Sequence, residues 1–321
     1  MNNLLRILTG RDVLRVYAAY GAAVLLFIIG AVVHPGFASL PSVSTILLIS
    51  SFIGMVAAGQ CFVVLIGGID LSVPWVLNAG AILLATASLG QNSRALFAIV
   101  LTLGMGALAG LANGIFIVWF EVPAVVMTLA MNGIVEGLTL GVSSGMTCGA
   151  CASYAPPIVQ KAVHGVFLGI PAALWLWLFI IIVVSFVLSF TRFGRATYAI
   201  GNNPRAAFLA GVNVNLTTVA LYVLSGIFSA LAGILLVGFG GQASLGMGDP
   251  YLFQSIAAVV IGGVSILGGS GLYVGAAAGA ISLTALVSVL LALDMPEYGR
   301  SIIYGIVILA LLLLYGREAR E

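Results

Sequence analysis

Residues 172–190, AALWLWLFIIIVVSFVLSF, contain no charged side chain, and runs of the same kind recur along the chain. A helix needs roughly 20 such residues to cross the hydrocarbon core of a bilayer, which is about 30 Å thick. In that solvent every backbone N–H and C=O must find its partner inside the protein, which leaves only helices and closed barrels. The apolar runs are continuous and lack the period-two alternation of barrel strands. Hydrophobic residues make up 62% of the 321 residues, with a mean hydropathy of +1.25, more apolar side chain than one soluble core of this size can enclose. The expected fold class is therefore all-α: a polytopic transmembrane helical bundle, a single transmembrane domain over residues 1–321.

Charges, prolines and glycines mark the ends of the apolar runs. Spans are expected near 16–33, 44–66, 73–90, 95–118, 123–141, 172–190, 215–238, 251–268, 271–292 and 298–315, about ten in all. The first follows Arg6, Arg11 and Arg15, as a signal peptide would, but its apolar stretch is longer than a usual signal core and further spans follow. It reads as a retained helix. An even number of spans puts both termini on one side, together with Arg6, Arg11, Arg15, Arg192, Arg195, Arg205, Arg317 and Arg320, against Arg94, Lys161 and Arg300 on the other. The excess of basic residues marks the side of the termini as cytoplasmic. Residues 191–214 then form the longest internal cytoplasmic connection and 142–171 the longest external one. The external segment carries CGAC, whose Cys148 and Cys151 read either as small loop residues or as a strained disulfide.

Gly106, Gly110 and Gly114 repeat every four residues on one span, and Gly271, Gly275 and Gly279 on another, smooth faces suited to close helix packing. LIGGIDL at 65–71 and VIGGVSI at 260–266 echo one another, through a parallel duplication or through chance in a Gly-rich apolar chain.

Several functions are excluded by inventory. The eleven basic and nine acidic residues are scattered over short connections, so no nucleic-acid surface is expected. Three cysteines give neither a disulfide scaffold nor zinc-site spacing, and no metal or other cofactor is expected. The only histidines, His34 and His164, lie near predicted external ends, and no HExxH is present. The single lysine, Lys161, is not in a phosphate-binding GxxxxGK[ST] loop. If ATP drives this protein, another chain hydrolyses it.

Ionisable groups at membrane depth cost at least about 2.5–3.5 kcal/mol each, so those present point to function. Glu136 shares a four-residue spacing with Thr128 and Asn132, a polar line that either faces a solute path or bonds helices together. Asp70 sits in GGIDLSVP at 67–74. Two glycines loosen the backbone there, Asp70 or Ser72 can cap the following helix, and Pro74 suits its first turn. The segment reads as a helix break, either a plain turn or a break bordering the path. Asn78 and Asn113, each inside a span, are weaker path candidates. A proton- or sodium-coupled transporter would be expected to gather several carboxylates in the membrane, and Glu136 is the only deeply placed one.

GGIDLSVP, the cytoplasmic YAIGNNPRAAFLAGVNV at 198–214 and IAAVVIGGVSILGGSG at 256–271 occur in the order and spacing of one family. The chain, over roughly residues 45–315, resembles permease subunits of bacterial ribose-type sugar ABC importers, relatives of the branched-chain amino-acid permeases. The resemblance implies an inner-membrane importer: two permease subunits surround a path, an extracytoplasmic solute-binding protein delivers the solute, and two cytoplasmic ATP-binding subunits dock below. It also implies that the loop from Gly201 to Gly211 is the coupling helix received by the ATPase, which assigns Gly201, Asn203, Ala206, Ala207 and Gly211 to it, with Arg205 as a polar contact. Asn203 before Pro204 is a helix cap followed by a first-turn proline, and Gly211 ends a short helix over 204–210. Three positions depart from the family pattern. Pro74 and Asn202 stand where glycine is usual, and Glu136 where a basic residue is more common.

The expected function is that of the membrane subunit of an ATP-driven importer, moving a monosaccharide or similar small polar solute past Asp70, Asn78, Asn113, Thr128, Asn132 and Glu136. A stand-alone secondary transporter or facilitator is the alternative.

Overall fold

In the computed structural model, residues 10–143 and 154–296 are described, with 298–300, 302–303, 305–306 and 309 beyond them. Cys148, Cys151 and most of the expected span 298–315 lie outside the described residues. The order of elements is α1 (Gly10–Val33), α2 (Leu40–Leu65), α3 (Val73–Ser88), α4 (Asn92–Trp119), α5 (Ala124–Ser143), α6 (Pro157–His164), β1 (Val166–Phe167), β2 (Ile170–Pro171), α7 (Ala172–Phe190), α8 (Arg192–Asn202), α9 (Pro204–Leu209), α10 (Val214–Gly240), α11 (Tyr251–Ile261) and α12 (Tyr273–Ala292). The two short strands form one antiparallel hairpin in the expected external segment. The fold is an all-α polytopic bundle, and among the described residues seven helices (α1, α2, α4, α5, α7, α10 and α12) are long and apolar enough to cross a membrane.

Helix α2 is the axis. Every residue from Ser50 to Leu65 is buried, because α10, α11, α12 and α7 surround it. Close approach depends on small residues. Trp177 of α7 lies over Gly54, leaving no room for a Cβ, and the Tyr273 hydroxyl donates to the Gly54 carbonyl at 2.7 Å. The expected ridge on α4 does pack: Cβ atoms at Gly106, Gly110 and Gly114 would meet the backbone of α10 at Gly226, Tyr222 and Val219. On α12, Gly275 presses against the Gly262 carbonyl, just past the end of α11, and Gly279 against the Ala258 carbonyl within it. Gly271 is not part of that ridge. It precedes α12, at φ +120°, against Val264.

The expected span 251–268 is also corrected. Its helix, α11, has 11 residues and stops at Ile261. At 1.5 Å per residue that is about 16 Å, half a bilayer. The chain then turns through Gly262 and Gly263 and stays non-helical to the start of α12.

The two echoed segments end their helices alike. After α2, the Gly67 amide bonds to Val64 O and Gly68 to Val63 O; after α11, Gly263 bonds to Val260 O and Val264 to Val259 O. Each is a Schellman cap with a left-handed glycine, Gly67 at φ +77° and Gly263 at φ +82°. The backbone therefore aligns the first glycine of one pair with the second of the other, one residue out of step with the sequence echo.

Candidate functional site

Between α2 and α3 the chain runs non-helically from Ile66 to Ser72, and it folds around one carboxylate. Asp70 is 1% exposed. Its Oδ1 accepts from the Ser72 amide at 2.9 Å and the Ser72 hydroxyl at 2.5 Å, an Asx-type turn that starts α3. Its Oδ2 accepts from the Ser225 hydroxyl on α10 at 2.6 Å. Asn113 of α4 donates through Nδ2 to the Ser72 Oγ at 3.0 Å, while its buried Oδ1 has no partner among the described residues. Three donors around one carboxylate offset much of the cost of burying it, and they tie the break to two neighbouring helices.

The polar string continues along α3 and α5. Thr128 is buried, and its hydroxyl donates to Ala124 O at 2.8 Å and lies 3.3 Å from Ile69 O, beside Asp70. Asn132 accepts from the Trp75 amide at 3.4 Å, at the start of α3. Asn78, fully buried, accepts from the Gly248 amide at 2.7 Å and donates to Asp249 Oδ1 at 3.2 Å. Five of the six expected path residues thus lie on the 66–78 segment or touch it directly, or do so through Ser72. Glu136 stands apart: it is half-buried, and no hydrogen bond or ion pair to it is present among the described residues.

Sequence reading missed several members. Ser225 has no local signature in an apolar helix, and Tyr222, whose hydroxyl lies where a Cβ on Gly68 would fall, looks like any core aromatic. Gln60, on the axial helix, is fully buried, and neither end of its amide is paired among the described residues. Asp249, in the GDP turn before α11, had a signal in its carboxylate but lay outside the expected spans. That loop also borders a cavity of about 550 Å³ between Phe239, Gln242, Ser244, Met247 and Tyr251.

The 191–214 segment folds as two helices joined at Asn203. Thr191 caps α8, its hydroxyl accepting from the Gly194 amide at 3.2 Å. Asn203 caps α9, with Oδ1 accepting from the Ala206 amide at 3.0 Å, and Pro204 takes the first turn. The helix ends in a third Schellman cap at Gly211, φ +83°, with Val212 N bonded to Ala207 O at 3.0 Å. Ala207 is 3% exposed and faces inward, whereas Ala206 is exposed and Phe208 and Leu209 are 69% and 85% exposed. A shallow groove of about 420 Å³ runs between Pro204, Arg205, Phe208, Leu209, Val214 and Asn215.

Spanning helices interrupted beside a buried polar cluster define a multi-pass membrane protein of the permease class. Residues 42–312 match the family described as branched-chain amino acid transport system / permease component, and the chain belongs to it. The autoinducer 2 import system permease protein LsrC of Escherichia coli is 33% identical over 92% of this chain and 85% of its own length. The ribose import permease protein RbsC of Haemophilus influenzae is 33% identical over 91% of this chain and 90% of its own. LsrC of Klebsiella pneumoniae is 34% identical over 94% and 87%. No solved structure matches the chain.

Proposed function

We propose that this chain is the transmembrane permease subunit of an ATP-driven ABC importer in a bacterial inner membrane, and that it admits a monosaccharide or similar small polar solute by alternating access. The observation that carries the reading is the string of buried polar groups, Asp70, Ser72, Asn113, Ser225, Thr128 and Asn78, set around a helix break inside an otherwise apolar bundle. Relatives named for ribose and autoinducer 2 import give the solute class. About ten spans with both termini cytoplasmic fit the distribution of arginines. In that orientation the cavity beside Gln242 and Ser244 is the external mouth, facing the solute-binding protein. The exposed α9 surface of Arg205, Phe208 and Leu209 faces the ATP-binding subunit.

A second permease subunit would complete the path. Asn132 and Glu136 are half-exposed on α5, next to Gly133, Gly137 and Gly141, where a Cβ would meet nothing within 4 Å. Lipid is a poor cover for an unpaired carboxylate, whereas a second subunit with a narrow cleft between the two is a good one. The chain's own residues would bind solute by hydrogen bonds and hold the break, while ATP hydrolysis supplies the force from outside the chain.

The test is purification followed by vesicle transport. The chain should co-purify with an ATPase, and solute uptake should stop when ATP is removed while ion gradients are maintained. Uptake that persists without ATP and collapses with an ionophore would overturn the reading in favour of a secondary transporter.

A further inference from the structure

The last turn of α8 is set into the place where the two helix breaks touch. Gly269 donates its amide to Leu65 O at 2.9 Å, so a turn of the second break satisfies a carbonyl left over at the end of α2. Gly201 completes the contact: a Cβ there would fall on Leu65 O and the Gly269 amide. Gly268, at φ +87°, leaves room for three backbones at once, since its Cβ would lie 2.9 Å from Gly67 N and 3.1 Å from both Gly201 O and Leu65 O. Two side chains of α8 latch the arrangement. The Tyr198 hydroxyl donates to Gly271 O at 2.7 Å, and Asn202 Nδ2 donates to Gly269 O at 3.3 Å and to Tyr198 O at 2.8 Å.

Short, hydrogen-bonded connections join this contact to the elements on either side. Asn203, next to Asn202, is already the cap of α9. Asp70 follows Leu65 by a short stretch in which the Gly68 amide bonds to Val63 O at 3.0 Å and the Tyr222 hydroxyl packs close to Gly68. Backbone packed on backbone has no rotamers with which to absorb a displacement, so a shift of α8 is passed on as a rearrangement.

We propose that Tyr198, Gly201 and Asn202 are positioning residues of a transmission joint, through which movement of α9 reaches both helix breaks together and so reorients the Asp70 cluster. The proposal rests on the permease reading above. In the complex reconstituted with its ATPase and binding protein, Tyr198→Phe, outside the loop received by the ATPase, removes the latch to Gly271 while keeping the aromatic ring and the helix. Assembly, thermal stability and ATP hydrolysis should stay near wild type, while solute moved per ATP hydrolysed falls by about five-fold or more, the lower end of a typical coupling free energy. Gly201→Ala, which drives a Cβ into the Leu65 and Gly269 backbone, should lower that ratio further and lower thermal stability with it. If it fails to assemble, Tyr198→Phe alone carries the test. A Tyr198→Phe variant that assembles and keeps the wild-type ratio would overturn the joint. Absence of ATP-dependent uptake by the wild-type complex would instead remove the permease reading beneath it.

Discussion

The chain interrupts its helices at two Gly-Gly pairs, after Leu65 and after Ile261, and closes both with the same cap, yet it holds the two segments by different means. Residues 66–72 are fixed by side chains: Asp70 gathers Ser72 and Ser225, and Asn113 joins through Ser72. Residues 262–271, GGVSILGGSG, contain no ionisable group and are held through their own backbone, which bonds to itself, to Leu65 and to the Tyr198 and Asn202 side chains of α8. Ser265 N bonds to Ser270 O, Gly268 N to Ser265 O, and Gly269 N to Leu65 O. One break is specified by hydrogen-bond chemistry and the other by the absence of side-chain volume. Changes of chemistry should therefore damage the first and changes of size the second.

The largest expected effect is at the first break. Asp70→Ala leaves the Ser72 amide and the Ser72 and Ser225 hydroxyls without their acceptor. Hydroxyls can turn to helix carbonyls, but the amide cannot, so the net loss is about 3 kcal/mol. Asp70→Asn keeps an acceptor and should cost nearer ~1 kcal/mol. Thermal unfolding in detergent would rank the two. Equal stability of both variants and wild type would show that the carboxylate does not organise the break.

At the second break, Gly262→Ala is the corresponding change. Its Cβ would be driven into the backbone of Gly275 on α12, and neither side is a flexible tip that could give way. Overpacking of this kind costs about 1–3 kcal/mol. At the first break, Gly67→Ala meets only the Leu267 carbonyl, at 3.3 Å, and carries mainly the left-handed backbone strain of about 1–2 kcal/mol. Melting temperatures should therefore fall further for Gly262→Ala than for Gly67→Ala. The reverse order would break the contrast between a break built on volume and one built on side chains.

The sequence makes some of this legible and hides the rest for physical reasons. The start of α3 and the whole of α9 can be read in advance, because caps, first-turn prolines and left-handed glycines act within a few residues. The stop of α11 cannot, since hydropathy averages over VSIL and runs the span through a backbone that has already turned. Ser225 is missed because its partner is 155 positions away in sequence. Glu136 is the instructive case. A four-residue step on a helix turns about 400°, so Thr128, Asn132 and Glu136 drift by about 40° per step. Thr128 is buried in the bundle, and eight residues later Glu136 has rotated out to a half-exposed face. Spacing shows that the three share a helix face, but a drifting stripe does not keep all three in one site.

The smallest expected effect falls on Thr128, where stability and function should separate. Its hydroxyl has one hydrogen and two carbonyls in reach, Ala124 O at 2.8 Å and Ile69 O at 3.3 Å, and the nearer one lies in its own helix. Thr128→Val is nearly isosteric, so it should cost only about 0.6 kcal/mol, a typical value for a hydrogen bond between membrane helices. If Thr128 serves the path, that hydroxyl is available to a solute at little structural expense, and uptake per ATP should drop well beyond what the lost stability explains. If uptake follows stability, Thr128 belongs to the packing of α5 against the first break, and the path lies closer to Asp70 and Asn113, where the unpaired Asn113 Oδ1 still offers an acceptor.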